Sequence, residues 1–407
     1  MFYPRAMSDC CLAASGQFPV ILLTGPRQVG KTTLLQHLAG KERRYATLDD
    51  PTFRELARND PALLLQRYEP PVLIDEIQYA PQLLPLIKMA VDRKRKPGQF
   101  WLTGSQQFQL MKGMSETLAG RVAILSLLGF SSRERRRREL SLSPFLPTDD
   151  VLAEREESAT RLTLKRLYAD IWLGCYPALV SKQVRDRDLF YSSYLQTYLQ
   201  RDVKDLAQVG DEAAFVRFLK ACAARTAQML NLTELARDAD VAVNTAKNWL
   251  SILQASLQVF LLQPYHTNVT KRLVKTPKLY FLDTGLCAYL TGWSSPETLE
   301  AGAMSGAILE TYVVAEVLKS WHNQGKQPPV YYYRDKDGKE IDLLLVQDWA
   351  LYPVEIKKSA NPRRNWAQSF ATLDRLKPRW SVGGVVCLCR DRLPLAENVT
   401  AIPVGFI

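Results

Sequence analysis

The sequence predicts an α/β protein whose N-terminal part is a parallel sheet built around a phosphate-binding loop. Three observations predict it. Up to about Ser131, apolar runs of strand length alternate with segments of helical spacing. One such run, Val20-Ile21-Leu22-Leu23-Thr24, leads directly into Gly25-Pro26-Arg27-Gln28-Val29-Gly30-Lys31-Thr32, a complete G-x-x-x-x-G-K-T loop. A second run, Val72-Leu73-Ile74, ends in the adjacent acids Asp75 and Glu76.

Glycines let the loop backbone curl so that its N–H groups point inward at a triphosphate. Thr33-Leu34-Leu35-Gln36-His37-Leu38 continues with leucines at helical spacing, and the start of that helix adds partial positive charge. Lys31 is placed to reach the β- and γ-phosphates, and Thr32 to hold Mg²⁺ through its hydroxyl. Gly25 through Thr33 is therefore the expected nucleotide-binding segment of a P-loop NTPase. Ligands of a parallel sheet collect at the carboxyl ends of its strands. That puts Asp75 near the Mg²⁺, through water, and Glu76 beside the water that attacks the γ-phosphate. Alone, two acids capping a strand read equally as a solvated strand end. Downstream of an intact loop, with one helix and one strand between, they read as a metal and water pair.

Strands are expected near 20–24, 44–48, 72–75, 100–103 and 122–127, with a helix around Leu83 to Lys94. Phe100-Trp101-Leu102-Thr103 runs into Gly104-Ser105-Gln106. If that strand lies between the two motif strands, Thr103 or Ser105 senses the γ-phosphate through its hydroxyl; the alternative is a turn with Ser105 as a helix cap. Arg121, ahead of the last strand, either neutralises charge on the phosphoryl oxygens, in cis or across a subunit interface, or forms a simple ion pair. Arg27 carries the same two readings.

A chain of 407 residues has room for roughly two to four domains. Hydrophobic residues at 47% allow packed cores and exclude wholesale disorder. No apolar stretch approaches a membrane span and no secretory leader opens the chain, so no membrane association is expected. Seven scattered cysteines, an odd number without zinc-type pairing, and three histidines argue against a structural zinc site. Reduced thiols and a cytoplasmic location are the expectation. The net charge of +11 favours a polyanionic partner such as nucleic acid. Part of the excess lies in the run Arg133 to Arg138, broken only by Glu134, which reads as a solvated linker face.

Residues 1–131 thus form the nucleotide domain and 132–161 a charged connector. Residues 162–300 read as a helical region, with a winged-helix-like segment over 215–275. There, Thr233 caps a helix through Ala239, and a second helix starts at Asn244 and runs through Leu253. Val259-Phe260-Leu261-Leu262 and Lys271-Arg272-Leu273-Val274-Lys275 supply the wing. Helix-turn-helix spacing puts the second helix in a DNA groove in some proteins and merely packs domains together in others; here Lys247 is that helix's only basic residue. Wing lysines belong on phosphate rather than on base edges.

Residues 301–407 carry a second candidate site. Glu340-Ile341-Asp342-Leu343-Leu344-Leu345-Val346 reads as a strand, Trp349 to Tyr352 turn the chain, and Pro353-Val354-Glu355-Ile356-Lys357-Lys358 returns. Alternation puts Glu355 and Lys357 on one face, where Asp342 joins them. Two carboxylates bind Mg²⁺ and a nearby lysine positions water. The pattern resembles that of the restriction-endonuclease-like, or PD-(D/E)XK, nucleases, as does an acid on an earlier helix, Glu310. Such folds also occur as inactive binding modules.

Taken together, the chain resembles the prokaryotic ATP-binding proteins that fuse an AAA-type ATPase to a C-terminal domain of unknown function. The likeness runs through the loop, Ile74-Asp75-Glu76-Ile77-Gln78, Leu102-Thr103-Gly104-Ser105 and Leu118-Ala119-Gly120-Arg121. In the second half it includes Tyr198-Leu199-Gln200-Arg201-Asp202-Val203, Lys278-Leu279-Tyr280-Phe281-Leu282-Asp283-Thr284-Gly285-Leu286 and the Glu340 to Lys357 block. The resemblance implies an AAA/RecA-like sheet, ATP as the nucleotide and a nuclease-like C-terminal fold. Three functions stay open: an ATPase that moves its C-terminal half on DNA, an ATP-gated metal-dependent nuclease, and a nucleotide-dependent switch that recruits a protein.

Overall fold

Strand order decides what meets at the phosphate loop. The structure, a computed structural model, describes residues 2–104, 117–198, 211–266 and 276–407. It divides into two units, the first built on residues up to Phe130 with Ala255–Leu257 and His322–Lys326, the second on the remainder.

The first unit holds β1 (Val20–Thr24), β2 (Arg44–Thr47), β3 (Val72–Asp75), β4 (Phe100–Gly104) and β5 (Val122–Ser126) in one sheet of order β2-β3-β4-β1-β5. Each neighbouring pair is parallel. Every residue of β1, β3 and β4 is buried, as their unbroken apolar runs require for strands covered on both faces. β4 lies between the two motif strands, which meets the condition set for Thr103. Helix α1 (Ser8–Ser15) precedes β1, and α2 (Lys31–Leu38) leaves the loop. α3 (Pro51–Asn59) and α4 (Pro61–Arg67) carry aspartate N-caps, Asp50 and Asp60. α5 (Leu83–Arg93) buries Leu83, Leu84, Ile87 and Val91 on one helical stripe.

The second unit opens with a difference from expectation. Ser132–Arg136 is a helix with a complete Ser131/Glu134 capping box, not a solvated linker. Arg135 and Arg136 both pair with Asp170, a carboxylate only 4% exposed on the helix Leu164–Leu173. Arg133 donates to Ser158 Oγ at 2.6 Å and to the Arg155 carbonyl at 3.1 Å. A buried acid needs cations, and the arginine run supplies them.

Farther on, helices Glu212–Ala224, Leu232–Ala239 and Val243–Ala255 pack with a small sheet of order β6-β8-β7, made of β6 (Gln228–Met229), β7 (Val259–Leu262) and β8 (Lys278–Phe281). Asn231, rather than Thr233, caps the second of these helices, accepting from the Glu234 N–H at 3.2 Å. β7 and β8 run antiparallel. The basic wing segment Lys271 to Lys275 lies outside the described residues.

The C-terminal sheet has the order β13-β14-β12-β11-β10-β9. β9 (Val330–Arg334), β10 (Glu340–Gln347) and β11 (Ala350–Lys357) form an antiparallel meander. β12 (Gly383–Cys387) and β14 (Val399–Pro403) run parallel to β11, and β13 (Leu393–Ala396) closes the edge. The β10–β11 turn is tighter than expected. Asp348 and Trp349 alone make it, with φ of 50° and 60°, the left-handed geometry that suits a two-residue hairpin. Asp348 suits that geometry, and strand pairing outweighs the poor fit of Trp349.

Gly25 gives the fold its clearest test. Its φ is +149°, and a Cβ there would stand 2.1 Å from the Leu127 carbonyl oxygen. Gly25→Ala is expected to lower stability by about 2 kcal/mol or more. Gly306→Ala, with open space around it at the start of a helix, is expected to be neutral or stabilising. Thermal melts of the two variants make the comparison.

Candidate functional site

The loop closes over its own lysine. Gly25, Gln28 and Gly30 all take positive φ, and Gly30 is the N-cap of α2. Lys31, 5% exposed, donates from Nζ to the carbonyls of Gly25 and Pro26 at 2.9 Å each. Arg27 is half-buried and Gln28 exposed, while Pro26 and Val29 are buried. Thr33 is exposed on the first turn of α2.

Asp75 ends β3 and is 4% exposed. Thr32 donates to its Oδ1 at 2.6 Å, and Thr103 donates to the same oxygen. Tyr45 and Thr47 donate to Oδ2 at 3.2 and 3.4 Å. Burial together with this carboxylate pushes the Tyr45 phenol up to about 12. Glu76 follows in the left-handed region, φ 59° and ψ 48°, an uncommon conformation for a glutamate. Its N–H donates to Thr103 Oγ1 at 3.0 Å, and Gln78 donates to its carboxylate. The site thus unites the loop, Asp75, Glu76 and Thr103. Ser105 lies outside the described residues.

Arg121 is elsewhere. Its guanidinium pairs with Asp92 of α5 at 2.6 Å, and its carbonyl accepts from the Val20 N–H. Val20 begins β1 and the loop follows its end, so a five-residue parallel strand, about 16 Å long, separates Arg121 from the phosphates. The sheet register therefore takes Arg121 out of the in-cis role, and within the chain it forms the ion pair with Asp92.

Three further contributors are Arg5, Tyr45 and Thr47. Arg5 donates to the Val29 carbonyl at 2.8 Å and the Leu128 carbonyl at 2.7 Å, fixing the loop from a segment before the first helix. Nothing in its local sequence signals this. Tyr45 and Thr47 had a signal, since alternate residues of a strand share a face.

A Mg²⁺ ion fits here on donor chemistry, because a threonine hydroxyl and a buried carboxylate oxygen already meet at hydrogen-bond distance.

The C-terminal candidates also converge, within the second unit. Lys357 Nζ lies 2.6 Å from Glu355 Oε2 and 3.7 Å from Asp342 Oδ2. The Ile356 N–H donates to Asp342 Oδ2 at 2.8 Å, and Ser369 donates to Glu355 Oε1 at 2.7 Å. Glu310, on the helix Ser305–His322, accepts from Tyr280 at 2.6 Å and pairs with Lys278 at 3.3 Å. Lys278 also meets Glu340 at 2.5 Å. The sequence marks Lys278 and Tyr280 only as part of a family motif. Burial first, then the neighbouring Asp342, raises Glu310 to about 7 and Glu355 to about 8. Burial opposes the Lys278 ammonium, yet Glu310, Asp342 and Glu340 hold its pKa above the ordinary lysine value. Among the described residues, no three histidine, cysteine, aspartate or glutamate side chains are arranged to hold a metal ion. The set Glu310, Asp342 and Glu355, expected to ligate one, is engaged with lysines, hydroxyls and a backbone N–H instead.

Known proteins match along the whole length. Residues 17–135 match an AAA domain, 164–297 a domain of unknown function (DUF8612) and 305–407 another (DUF4143). The uncharacterized protein Mb2031c of Mycobacterium bovis is 32% identical over 390 residues, 96% of this chain and 81% of that protein. The uncharacterized protein Rv2008c of Mycobacterium tuberculosis matches to the same extent. The chain belongs to their family. This chain joins an AAA domain to a DUF4143 domain, as the motifs implied, and the first unit is a P-loop ATPase. Among solved structures, the Walker-type ATPase PABY2304 of Pyrococcus abyssi is 17% identical, covers 71% of this chain and 96% of its own, and has a TM-score of 0.45. The RuvB Holliday junction branch migration motor of Thermotoga maritima is 15% identical, covers 62% and 86%, and scores 0.30. No helix among the described residues is long and apolar enough to cross a membrane.

The raised carboxyls give a pH test. With pKa values near 7 and 8 in the fold against 4.5 unfolded, Glu310 and Glu355 hold protons that the unfolded chain releases. Their contribution to stability is complete below the unfolded value and is lost as the pH rises through the folded values. Denaturant melts are expected to show stability falling from about pH 5 to about pH 8. Glu355→Gln, always neutral, is expected to flatten that fall; an unchanged slope would remove Glu355 from the account.

Proposed function

We propose that the chain hydrolyses Mg²⁺-bound ATP at the loop and uses the change to rearrange its C-terminal region on DNA. The observation that carries the reading is the Asp75 carboxylate, which joins Thr32 of the loop to Thr103 of the neighbouring strand. Lys31 exchanges the two loop carbonyls for the β- and γ-phosphate oxygens, a charge-assisted contact in place of a neutral one. Thr32 and Asp75 hold the Mg²⁺, which neutralises charge on the phosphate oxygens when bound. Glu76 orients the attacking water and takes its proton as the new P–O bond forms and the β–γ bridge breaks. Thr103, bonded to Asp75 and to the Glu76 backbone, couples the state of the metal ligand to the placing of the base.

DNA is favoured by the net charge of +11 and by the helix pair Leu232–Ala239 and Val243–Ala255 beside β7 and β8, which we read as a winged helix. Asn244, Lys247, Asn248 and Ser251 are exposed on the second helix. These side chains suit base-edge and phosphate contacts. A second reading, DNA cleavage by a nuclease-like C-terminal domain, is supported by Asp342, Glu355 and Lys357 meeting on one strand face.

Lys31→Ala is expected to abolish ATP turnover, and Glu76→Gln to keep nucleotide binding while stopping hydrolysis. Full turnover by both variants would refute the assignment. Steady-state hydrolysis is expected to rise with DNA and to lose that stimulation as salt increases. A rate indifferent to single-stranded, duplex and branched DNA, together with salt-insensitive capture of a protein, would replace DNA with a protein partner. Cleavage, if present, must disappear in Asp342→Ala and Lys357→Ala.

A further inference from the structure

The C-terminal acidic cluster, as folded, does not fit a divalent ion. Such an ion needs several oxygens free to face it. Glu310 Oε1 is taken by Lys278 and Tyr280, Glu355 by Lys357 and Ser369, and Asp342 Oδ2 by the Ile356 N–H. Lys278 stands out because it is 3% exposed and touches two acids, Glu310 at 3.3 Å and Glu340 at 2.5 Å. Its ammonium also lies 5.7 Å from the centre of the Tyr332 ring. The strand that carries it, β8, is laddered to β6 on one side and β7 on the other. The cation thus comes from the stretch that matches one domain model, and the acids from the stretch that matches the next.

We propose that Lys278 is the resident cation at Glu310, and that it keeps a divalent ion out of the site that Glu310 would share with Asp342 while β8 is seated. A buried ammonium and a metal ion compete for the same carboxylate oxygens. The ammonium is tethered, so it occupies the cluster whatever the metal supply. It also bolts β8 to the helix Ser305–His322 and to β10, since a buried charge is costly to leave unpaired. The inference uses the nuclease-like reading only to name the oxygens that a metal would take.

The test is a Mn²⁺ titration of the nucleotide-free full chain, with free Mn²⁺ read by electron paramagnetic resonance. Lys278→Met is expected to take up about one more Mn²⁺ per chain than the wild type. The affinity is expected to be about tenfold or more above any wild-type uptake at the cluster. Adding Asp342→Asn should remove the gain. Equal uptake by the wild type, or no gain in folded Lys278→Met, overturns the proposal. Should Lys278→Met fail to fold, Glu340→Gln loosens the same ammonium from a side chain that is 28% exposed. It should gain Mn²⁺ in the same direction, and no gain there overturns the proposal equally. DNA cleavage measured on the same samples separates the two ideas. A Lys278→Met chain that binds Mn²⁺ and cuts nothing ends the nuclease reading and leaves the lysine assignment standing.

Discussion

The catalytic end of the first sheet depends on one buried carboxylate. Asp75 accepts from hydroxyls on α2, β2 and β4 while itself ending β3. An ionised carboxylate only accepts, and hydroxyls satisfy it without bringing charge. Its negative charge therefore stays available for a cation. The strand order makes this possible, because β3 has β2 on one side and β4 on the other, with β1 next beyond. A strand inserted between β3 and either neighbour would move one of these hydroxyls out of reach.

The C-terminal cluster meets the same difficulty, buried acids, with the opposite remedy. There lysines, hydroxyls and a backbone N–H share the carboxyls, so these acids are satisfied within the fold. The two lysines differ accordingly. Lys31 rests on neutral carbonyls, and a phosphate makes a stronger partner, so the lysine is poised to move. Lys278 rests on carboxylates and has no better partner to move to.

Much of the first unit was legible in the sequence, since its signals are local. A loop whose glycines, lysine and threonine must be adjacent announces itself, and so does an apolar strand ending in acids. The five strands appear within about one residue of their expected bounds, and for β1, β3 and β4 the reason is that fully buried parallel strands are unbroken apolar runs. The contacts of Arg5 and Arg121 were not legible. Arg5 reaches Leu128, 123 positions away, and Arg121 depends on which end of β1 it adjoins. Topology sets both, and side-chain type sets neither. The run Arg133 to Arg138 misled for a related reason. Six residues rich in arginine look solvated until a buried Asp170, more than 30 positions on, is placed against them. In the C-terminal domain, alternation correctly gathered Asp342, Glu355 and Lys357. It could not show that Lys278, on a strand of another sheet, completes the charge.

The register at β5 has a consequence for how phosphate charge is met. With Arg121 about a strand's length from the loop and paired with Asp92, the cationic and N–H groups at the loop come from the other end of β1. Those are Lys31, the N–H groups of the positive-φ loop and the N-terminus of α2. All belong to one continuous segment of chain that Arg5 ties to the sheet through Val29 and Leu128. Loosening that tie changes the shape of the cradle without touching a phosphate contact. The shape of the loop in this chain is thereby tied to the packing of the segment before the first helix, a dependence that the loop motif does not contain.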